Sequence, residues 1–416
     1  MPAPHAPVIA RRPMLIRSIV ALLLTAALLL TADLLLRADV ILKASAQASR
    51  PAPAEPFPPF TEGHSGPGYL KFDRGVPVLH AFGTPFERGR QKGQLTAPQV
   101  RYLTEHYLRA VVSDARRQEA MSVVFGLEAR IPRHLRDEMR GLAEGAGVPY
   151  HDVLFANTFI DAFVLGGCST MAVEASRSAT GRLMLARNLD WWSHGMLESA
   201  SLLVVDHLDD GTSVVAISWP SLVGVVSGTN SHGLVAAMLT SSGRAPRLQG
   251  MPNIMAYRLL LERHATVAEA DAFFDDHTII APNNLALADA SGNTMILELD
   301  PYWGHATRQP HEGVLICTNF FASGQNRART INDWRFRRLE ELAATRQKHS
   351  LVDLRSHLGQ VLMESLDNIQ AMIFEPEAAI LYLSVGRIPA ANGRYLRFDV
   401  NELVSAEPHP QPEPEP

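Results

Sequence analysis

Cys168 is the residue in this sequence whose type and setting best fit covalent chemistry. It is one of two cysteines in 416 residues, and it lies in the segment Gly166-Gly167-Cys168-Ser169-Thr170. Small neighbours leave a sulfur approachable, and the glycines allow the backbone to turn sharply. Arg187 and Asp190 follow a short distance downstream, and a nearby cation favours a thiolate. This combination indicates an activated thiol. The alternative is a buried packing residue, because free cysteine is among the most buried residue types.

The composition excludes several other kinds of chemistry. With 46% hydrophobic and 19% charged residues, the chain is an ordinary globular protein in composition. With a formal net charge of -5, the chain has no basic stripe that could bind phosphate groups, and this excludes nucleic acid as a partner. Two cysteines cannot form a disulfide framework, and the histidines show no zinc-ligand spacing. We therefore predict no metal and no cofactor.

The N-terminal sequence predicts that this protein is exported from the cytoplasm. Arginines precede an uncharged run of fifteen residues from Ser18 to Ala32. This is signal-peptide length and shorter than the about 17–25 residues of a membrane span. Apolar residues continue past Asp33, so residues 1–48 are either a cleaved signal peptide or an anchor held in the inner membrane through residues 14–36. The preceding positive charges favour a cytoplasmic N-terminus and a periplasmic or other extracytoplasmic body.

The rest of the chain divides into four segments by composition and periodicity. Repeated prolines predict an extended linker over 49–68. Apolar residues at helical spacing predict a mainly helical segment over 69–167. Short apolar runs between turn signals predict strands in a catalytic segment over 168–405, interleaved with helices. An acidic, proline-rich tail at 406–416 predicts disorder. Strands grouped between helical layers indicate an α+β sandwich.

Several motifs in this order resemble the isopenicillin N acyltransferase-like family of N-terminal-nucleophile hydrolases. They are Gly83-Thr-Pro-Phe-Glu-Arg-Gly89, Gly141-Leu-Ala-Glu-Gly-Ala-Gly-Val148, Gly167-Cys168, Arg187-Asn-Leu-Asp-Trp191, Ser227-Gly-Thr-Asn230, Thr318-Asn319 and Arg335. The family includes acyl-coenzyme A:6-aminopenicillanic acid acyltransferase and is related to bile-salt hydrolase, penicillin V acylase and acid ceramidase. The resemblance covers roughly Gly83 to Val400 and implies a four-layer αββα sandwich.

The resemblance also implies a precursor that cuts itself at the Gly167–Cys168 bond. Cys168 would then carry both the nucleophilic thiol and a free α-amine that acts as its base. An α-amine, with a pKa of about 7.7–8.0, transfers protons near neutrality better than a lysine with a pKa near 10.4. No separate catalytic histidine is then required. The two processed fragments are expected to stay associated.

The resemblance assigns roles to five further residues. Asp190 would hold the new amine, and Arg187 would favour the thiolate. Asn319 would donate a side-chain hydrogen bond to the tetrahedral oxygen, and Asn230 would donate from its backbone or side chain. Arg335 would be a second active-site arginine. For the asparagines the alternative is an ordinary turn residue. For Arg335 the alternative is a solvent-exposed residue in a run of charged side chains. The family usually has a small hydroxyl residue three positions before this arginine, where this chain has Asn332.

Together these patterns predict an exported, self-processing cysteine amidohydrolase or acyltransferase. Its substrate would be an N-acylated small molecule or acyl-peptide, cut at a C–N amide bond. A coenzyme-A-dependent N-acyltransferase and a non-catalytic exported binding protein with the same fold are the alternatives. Cys317 would share a strand face with Asn319. It is either a buried core thiol or an oxidation partner of Cys168.

Overall fold

The computed structural model describes residues 55–162, 166–241, 246–323 and 333–411. The apolar run at 14–36, Asn332 and the end of the tail at 412–416 lie outside these ranges. Among the described helices, none combines the length and the apolar character that a membrane crossing requires. The choice between a signal peptide and an anchor therefore stays a prediction.

The strands of the described residues form two sheets. In chain order they are β1 Gly63–Ser65, β2 Gly68–Asp73, β3 Val76–Ala81, β4 Gly167–Val173, β5 Met184–Trp191, β6 Leu202–His207, β7 Ser213–Ser218, β8 Ser227–Asn230, β9 Val235–Thr240, β10 Asn283–Ala288, β11 Thr294–Asp300, β12 Gly304–Arg308, β13 Val314–Cys317, β14 Asp367–Glu375, β15 Ile380–Ser384 and β16 Leu396–Asp399. The larger sheet has the order β1-β2-β3-β6-β7-β8-β9-β10-β11-β12, and the smaller one β13-β4-β5-β14-β15-β16.

The helices frame these sheets. They are α1 Pro85–Leu95, α2 Ala97–Tyr102, α3 Leu108–Val111, α4 Asp114–Glu128, α5 Arg133–Ala146, α6 Tyr150–Ala156, α7 Phe159–Ala162, α8 Leu197–Ala200, α9 Asn253–Arg263, α10 Val267–Asp276, α11 Trp334–Ala344, α12 Leu351–Gly359 and α13 Val400–Val404. A π-helical turn over Leu103–Tyr107 joins α2 to α3.

The sheets pack face to face between two helical layers. Strand β4 contacts β9 across the gap, while α9 and α10 pack on the larger sheet and α11 and α12 on the smaller one. A strand that is covered on both faces has its side chains buried on both sides, and every residue of β9 and β14 is buried. This four-layer αββα arrangement confirms the predicted fold class.

The N-terminal segment contributes to the larger sheet as well as to the helices. Strand β3 pairs in parallel with β6, so β1, β2 and β3 extend that sheet. The prediction of an extended linker over 49–68 and a mainly helical segment over 69–167 misses these strands. Their long-range partner in β6 lies more than a hundred residues away, and a local pattern cannot show it.

The proline-rich linker and the tail are more ordered than predicted. The Tyr102 hydroxyl donates to the carbonyl of Glu55 at 2.7 Å. At the other end of the chain, the His409 N–H donates to the carbonyl of Pro67 at 2.8 Å, and the rings of His409 and His64 stack 4.0 Å apart. The second half of the linker and the tail up to residue 411 therefore pack on the body, which corrects both expectations for these residues.

Gly89, in the motif at 83–89, serves helix packing. Thr84 and Glu87 form a capping box at the start of α1, so this segment is a helix. A Cβ on Gly89 would overlap the backbone of Glu138 in α5, and one on Gly141 would overlap the backbone of α1. Paired glycines thus let the two helices approach closely, which brings charged residues of both into contact.

Candidate active site

Cys168 lies in a strand, as the second residue of β4, and not at a turn. Neither Gly166 nor Gly167 has a positive φ. A Cβ on Gly166 would lie 2.6 Å from the ring of Trp191, and one on Gly167 would overlap Met363. These glycines are required by close packing, which corrects the expected sharp turn. Cys168 is also only 1% exposed, so its sulfur is not openly approachable as the small neighbours suggested.

The pairing of β4 with β5 brings Arg187 to the sulfur. Arg187 lies opposite Thr170, two residues from Cys168 on the same strand face. Its Nη2 is 3.6 Å from the Cys168 Sγ and donates to the carbonyl of Met238 at 2.6 Å, while its Nη1 donates to the Ser227 hydroxyl. Met238 and Ser227 belong to the larger sheet. The fully buried guanidinium therefore joins the two sheets and places a positive charge beside the thiol.

Asn319 and Arg335 hold the backbone of Cys168. The Cys168 N–H donates to the Asn319 Oδ1 at 2.7 Å, and the Arg335 Nη1 donates to the Cys168 carbonyl at 3.1 Å. The Arg335 Nη2 also donates to the Asn319 Oδ1, at 2.9 Å. Asp333 caps α11 by accepting from the Arg335 N–H and binds its guanidinium at 2.8 Å. Arg335 is 4% exposed and is not part of a solvated charge run.

Asp190 has one bonded and one unbonded carboxylate oxygen beside this strand. It lies opposite Gly167 in the β4–β5 pairing. Its Oδ1 accepts from the Asn368 side chain at 2.8 Å. Its Oδ2 has no hydrogen-bond partner among the described residues and lies 3.8 Å from the Arg335 Nη1. Burial raises the pKa of Asp190 to about 7, although Asn368 and Arg335 oppose the shift. The carboxyl therefore titrates near neutrality.

Thr240 is a site residue that the sequence analysis missed. The Asn319 Nδ2 donates to the Thr240 carbonyl at 2.6 Å and to its hydroxyl at 3.2 Å, and that hydroxyl donates to the carbonyl of Gly166 at 3.0 Å. In the uncut chain Asn319 thus accepts from Cys168 and donates to Thr240, which differs from the predicted donation to a reacting oxygen. A threonine at the end of the apolar strand β9 was the available signal.

Asn230 is not brought to Cys168. Its Nδ2 donates to the carbonyls of Leu261 and His264 at 2.8 and 2.7 Å. Its Oδ1 accepts from the N–H groups of His232 and Leu234. All of its side-chain hydrogen-bonding capacity is used to fix the turn after β8 and the end of α9. The Asn230 side chain therefore has the contacts of a turn residue, and the predicted role of Asn230 at the tetrahedral oxygen stays a prediction.

Cys317 lies near Cys168 but not opposite it. Cys317 pairs with Thr170 and donates its thiol to the carbonyl of Thr318 at 3.3 Å. It is therefore a diagonal neighbour of Cys168, and such neighbours are typically about 7–8 Å apart, whereas disulfide-bonded Cα atoms are usually about 4.4–6.8 Å apart. Burial raises the pKa of Cys317 to about 12, so its thiol stays protonated. The geometry favours a core thiol.

The surroundings of Cys168 act on its thiol in opposite directions. Burial raises the pKa of the Cys168 thiol. The positive charges of Arg187 and Arg335 lower this pKa, and the negative charge of Asp190 raises it. The pKa of Cys168 lies above its ordinary value, so the uncut chain holds a neutral thiol within reach of a cation. Across the ranges that the structure describes, no group of three His, Cys, Asp or Glu side chains could hold a metal ion.

Comparison with known proteins identifies relatives over about half of the chain. An uncharacterized protein of Archaeoglobus fulgidus is 25% identical over 240 residues, 50% of this chain and 39% of that protein. Protein dcd1B of Dictyostelium discoideum is 24% identical over 222 residues, 47% of this chain and 44% of that protein. The chain thus covers less than half the length of these two relatives.

Several solved structures are also similar to this chain. A Caenorhabditis elegans ortholog of N-acylethanolamine-hydrolyzing acid amidase has a TM-score of 0.41 at 16% identity, covering 50% of this chain and 93% of its own. A mutant conjugated bile acid hydrolase of Clostridium perfringens has a TM-score of 0.41 at 14% identity, covering 58% and 95%. Penicillin V acylase of Agrobacterium tumefaciens has a TM-score of 0.38 at 16% identity, covering 56% and 87%.

The match to a family model extends over residues 177–387, slightly more than half of the chain. It includes Arg187, Asp190, Asn319 and Arg335 and begins just after Cys168. The four side chains that surround the thiol thus lie within the matched region. The chain belongs to the acyl-coenzyme A:6-aminopenicillanic acid acyl-transferase family.

Proposed function

We propose that this chain is a self-processing cysteine amidohydrolase or acyltransferase that cuts a C–N amide bond in an N-acylated small molecule or acyl-peptide. One observation carries the proposal. The nitrogen, carbonyl oxygen and sulfur of Cys168 each have a separate polar partner, in the partly buried Asn319 and the buried Arg335 and Arg187 respectively. A buried backbone N–H and C=O need partners whatever the side chain, but here side chains supply both. The guanidinium beside the sulfur is a partner that a cysteine serving packing alone would not require.

The self-processing step is an acyl shift followed by hydrolysis. The Cys168 Sγ attacks the carbonyl carbon of Gly167, and the thiol proton passes to the Cys168 nitrogen as the C–N bond breaks. The product is a thioester between Gly167 and the sulfur. Water then hydrolyses the thioester, which leaves a carboxylate on Gly167 and a free thiol and amine on Cys168. Arg187 beside the sulfur supports the first step by favouring the thiolate.

The unbonded oxygen of Asp190 supports a role for the new amine. An ammonium at Cys168 would provide a counter-charge to the buried carboxylate, and the opposite charge would lower the pKa of Asp190. In turnover the Cys168 thiolate attacks the substrate carbonyl, and its own amine accepts the thiol proton and returns it to the leaving amine. Water or a second amine then takes the acyl group from the sulfur.

A buried ionic cluster supports the association of the two processed fragments. Lys92 and Glu138 lie before the cut, whereas Asp206 and Arg258 lie after it. The Lys92 Nζ is 3.0 Å from the Asp206 Oδ1, and the Arg258 Nη2 is 3.3 Å from the Glu138 Oε2. Burial alone would raise the pKa of Asp206, but Arg258 and Lys92 hold it well below its usual range. Separating the fragments would break both pairs.

The experiment that tests the proposal is an intact-mass measurement of the full chain beside its Cys168→Ala variant. We expect two fragments in the wild type, the second beginning with Cys168, and one uncut chain in the variant. A wild type that stays uncut and does not react with an electrophilic acyl probe would instead indicate a non-catalytic binding protein. If a coenzyme-A ester serves as the acyl donor and its acyl group goes to an amine in preference to water, the enzyme is an acyltransferase.

We also propose that the body is exported behind the N-terminal apolar run at 14–36. The arginines before that run support this orientation. Cell fractionation of the full chain tests it. A body found wholly in the cytosol would contradict export, and a membrane-bound N-terminal fragment would indicate a retained anchor.

A further inference from the structure

Asn319 lies in a segment without regular structure, just after β13 ends at Cys317. The strand ladder therefore does not fix its position. The nearest side chain that holds its backbone comes from the other sheet: the Asn284 Nδ2 donates to the carbonyls of Thr318 at 2.9 Å and Phe320 at 3.0 Å. These are the residues directly before and after Asn319, and Asn284 is fully buried.

Two adjacent strands of the larger sheet thus hold both the backbone and the side chain of Asn319. Asn284 of β10 fixes the carbonyls on either side, and Thr240 of β9 accepts from the side-chain Nδ2. Further along, the Glu298 carboxylate of β11 accepts from the N–H of Ala322 at 2.7 Å. The segment after β13 is therefore shaped by the larger sheet, although its strand belongs to the smaller one.

We propose that Asn284 is a positioning residue that acts through Asn319 on the reaction of Cys168. This inference rests on the proposed function. Rotation of the peptide units around Asn319 would move its Oδ1 away from the Cys168 N–H and from the Arg335 Nη2, which now lie 2.7 and 2.9 Å from it. A displacement of about 1 Å in a catalytic geometry can reduce a rate about 100-fold. The two donated bonds of Asn284 prevent that displacement.

The neighbouring Asn283 provides a matched control. It has the same side chain and is buried in the same strand, but it points to the opposite face of the sheet. There its side-chain nitrogen, in the amide orientation that satisfies both atoms, donates to the Tyr257 hydroxyl of α9 at 2.9 Å and to the carbonyls of Leu239 and Asn284 at 3.2 and 2.8 Å. None of these bonds goes to the segment around Asn319. Replacing Asn283 therefore reproduces the loss of a buried amide while keeping the Asn284 side-chain bonds to Thr318 and Phe320.

The test measures self-cleavage of the full chain after cell-free synthesis, followed by intact mass over time, together with the melting temperature of each variant. We compare the wild type with Asn284→Leu, Asn284→Ser and Asn283→Leu. We expect Asn284→Leu to cleave about 100-fold more slowly than the wild type. Asn284→Ser keeps one donor and should recover part of that rate. Asn283→Leu should cleave within about threefold of the wild type while melting at a temperature as low as that of Asn284→Leu.

Two results would overturn the inference: Asn284→Leu cleaving as fast as Asn283→Leu, or Asn284→Ser cleaving no faster than Asn284→Leu. Should Asn284→Leu fail to fold, Asn284→Ser is compared with Asn283→Ser instead. We expect Asn284→Ser to cleave more slowly, and equal cleavage rates would refute the inference. Failure of the proposed function is a separate outcome, since the wild type itself would then stay uncut.

Discussion

Replacing Arg187 should raise the pKa of the Cys168 thiol by about two to three units. The guanidinium lies 3.6 Å from the sulfur and is fully buried. At this distance two unit charges interact by about 4 kcal/mol with an effective dielectric constant of about 20, equivalent to about three pKa units. Arg335 stays in place, so a somewhat smaller shift is expected. Arg187→Met keeps a similar apolar stem and removes only the charge and its donors.

The assay is the rate of alkylation of Cys168 by iodoacetamide as a function of pH, read from the mass of the modified chain or fragment. Arg182→Met is the matched control, because Arg182 precedes the same strand but is 41% exposed and pairs with Glu375 at 3.0 Å. Arg187→Lys keeps the charge and should shift the profile less than Arg187→Met. Should Arg187→Met titrate within about half a unit of Arg182→Met, Arg187 would not stabilise the thiolate.

Loss of the Arg187 donors also has a structural cost, which the same samples reveal. The Met238 carbonyl and the Ser227 hydroxyl would each lose a buried partner, at about 1–3 kcal/mol per group. Denaturant unfolding of each variant separates this loss of stability from the change in thiol pKa. A folded Arg187→Met chain with an unchanged alkylation profile would refute the electrostatic argument directly.

Two further predictions concern buried charges. In a Cys168→Ala background, the buried Asp190 carboxyl binds its proton more tightly in the folded chain than in the unfolded one, so stability should fall as pH rises from about 4 to about 7. The free energy of unfolding should fall by at most about 1.4 kcal/mol per pH unit in this range. The Asp190→Asn variant in the same background should lack this pH dependence, and equal slopes in the two chains would disprove the raised pKa. Arg258→Met should lower the free energy of unfolding by about 3–5 kcal/mol and weaken the association of the two fragments proposed above. Arg263→Met, at an exposed position of the same helix, should change the free energy of unfolding little. Similar losses in both variants would contradict a stabilising role for the ionic cluster.

Local patterns in the sequence determined the elements and the main members of the site. Apolar runs between turn signals predicted the central strands of the segment 168–405 and the helices between them, and helical spacing predicted the helices of the segment 69–167. These patterns are readable because a side chain's periodicity depends only on its own strand or helix. The motif resemblance also selected Arg187, Asp190, Asn319 and Arg335, and all four lie around Cys168.

Only the tertiary structure decided what each polar side chain bonds. Asn230 and Asn319 both follow or end a strand and are equal candidates in the sequence. The fold directs Asn230 to the end of α9, and it places Asn319 against Cys168. The supporting residues Thr240 and Asn284 were not selected at all, since their partners are tens of residues away and belong to the opposite sheet.

The same reason explains the glycines beside the thiol and the N-terminal strands. Gly166 and Gly167 were expected to make a turn, but they make room for Trp191 and Met363, which approach from distant parts of the chain. Strands β1, β2 and β3 find their place only by pairing with β6. The sequence by itself determined which residues are candidates for the chemistry and which local elements bear them. Long-range pairing of the two sheets, which no local pattern encodes, determined which side chains meet.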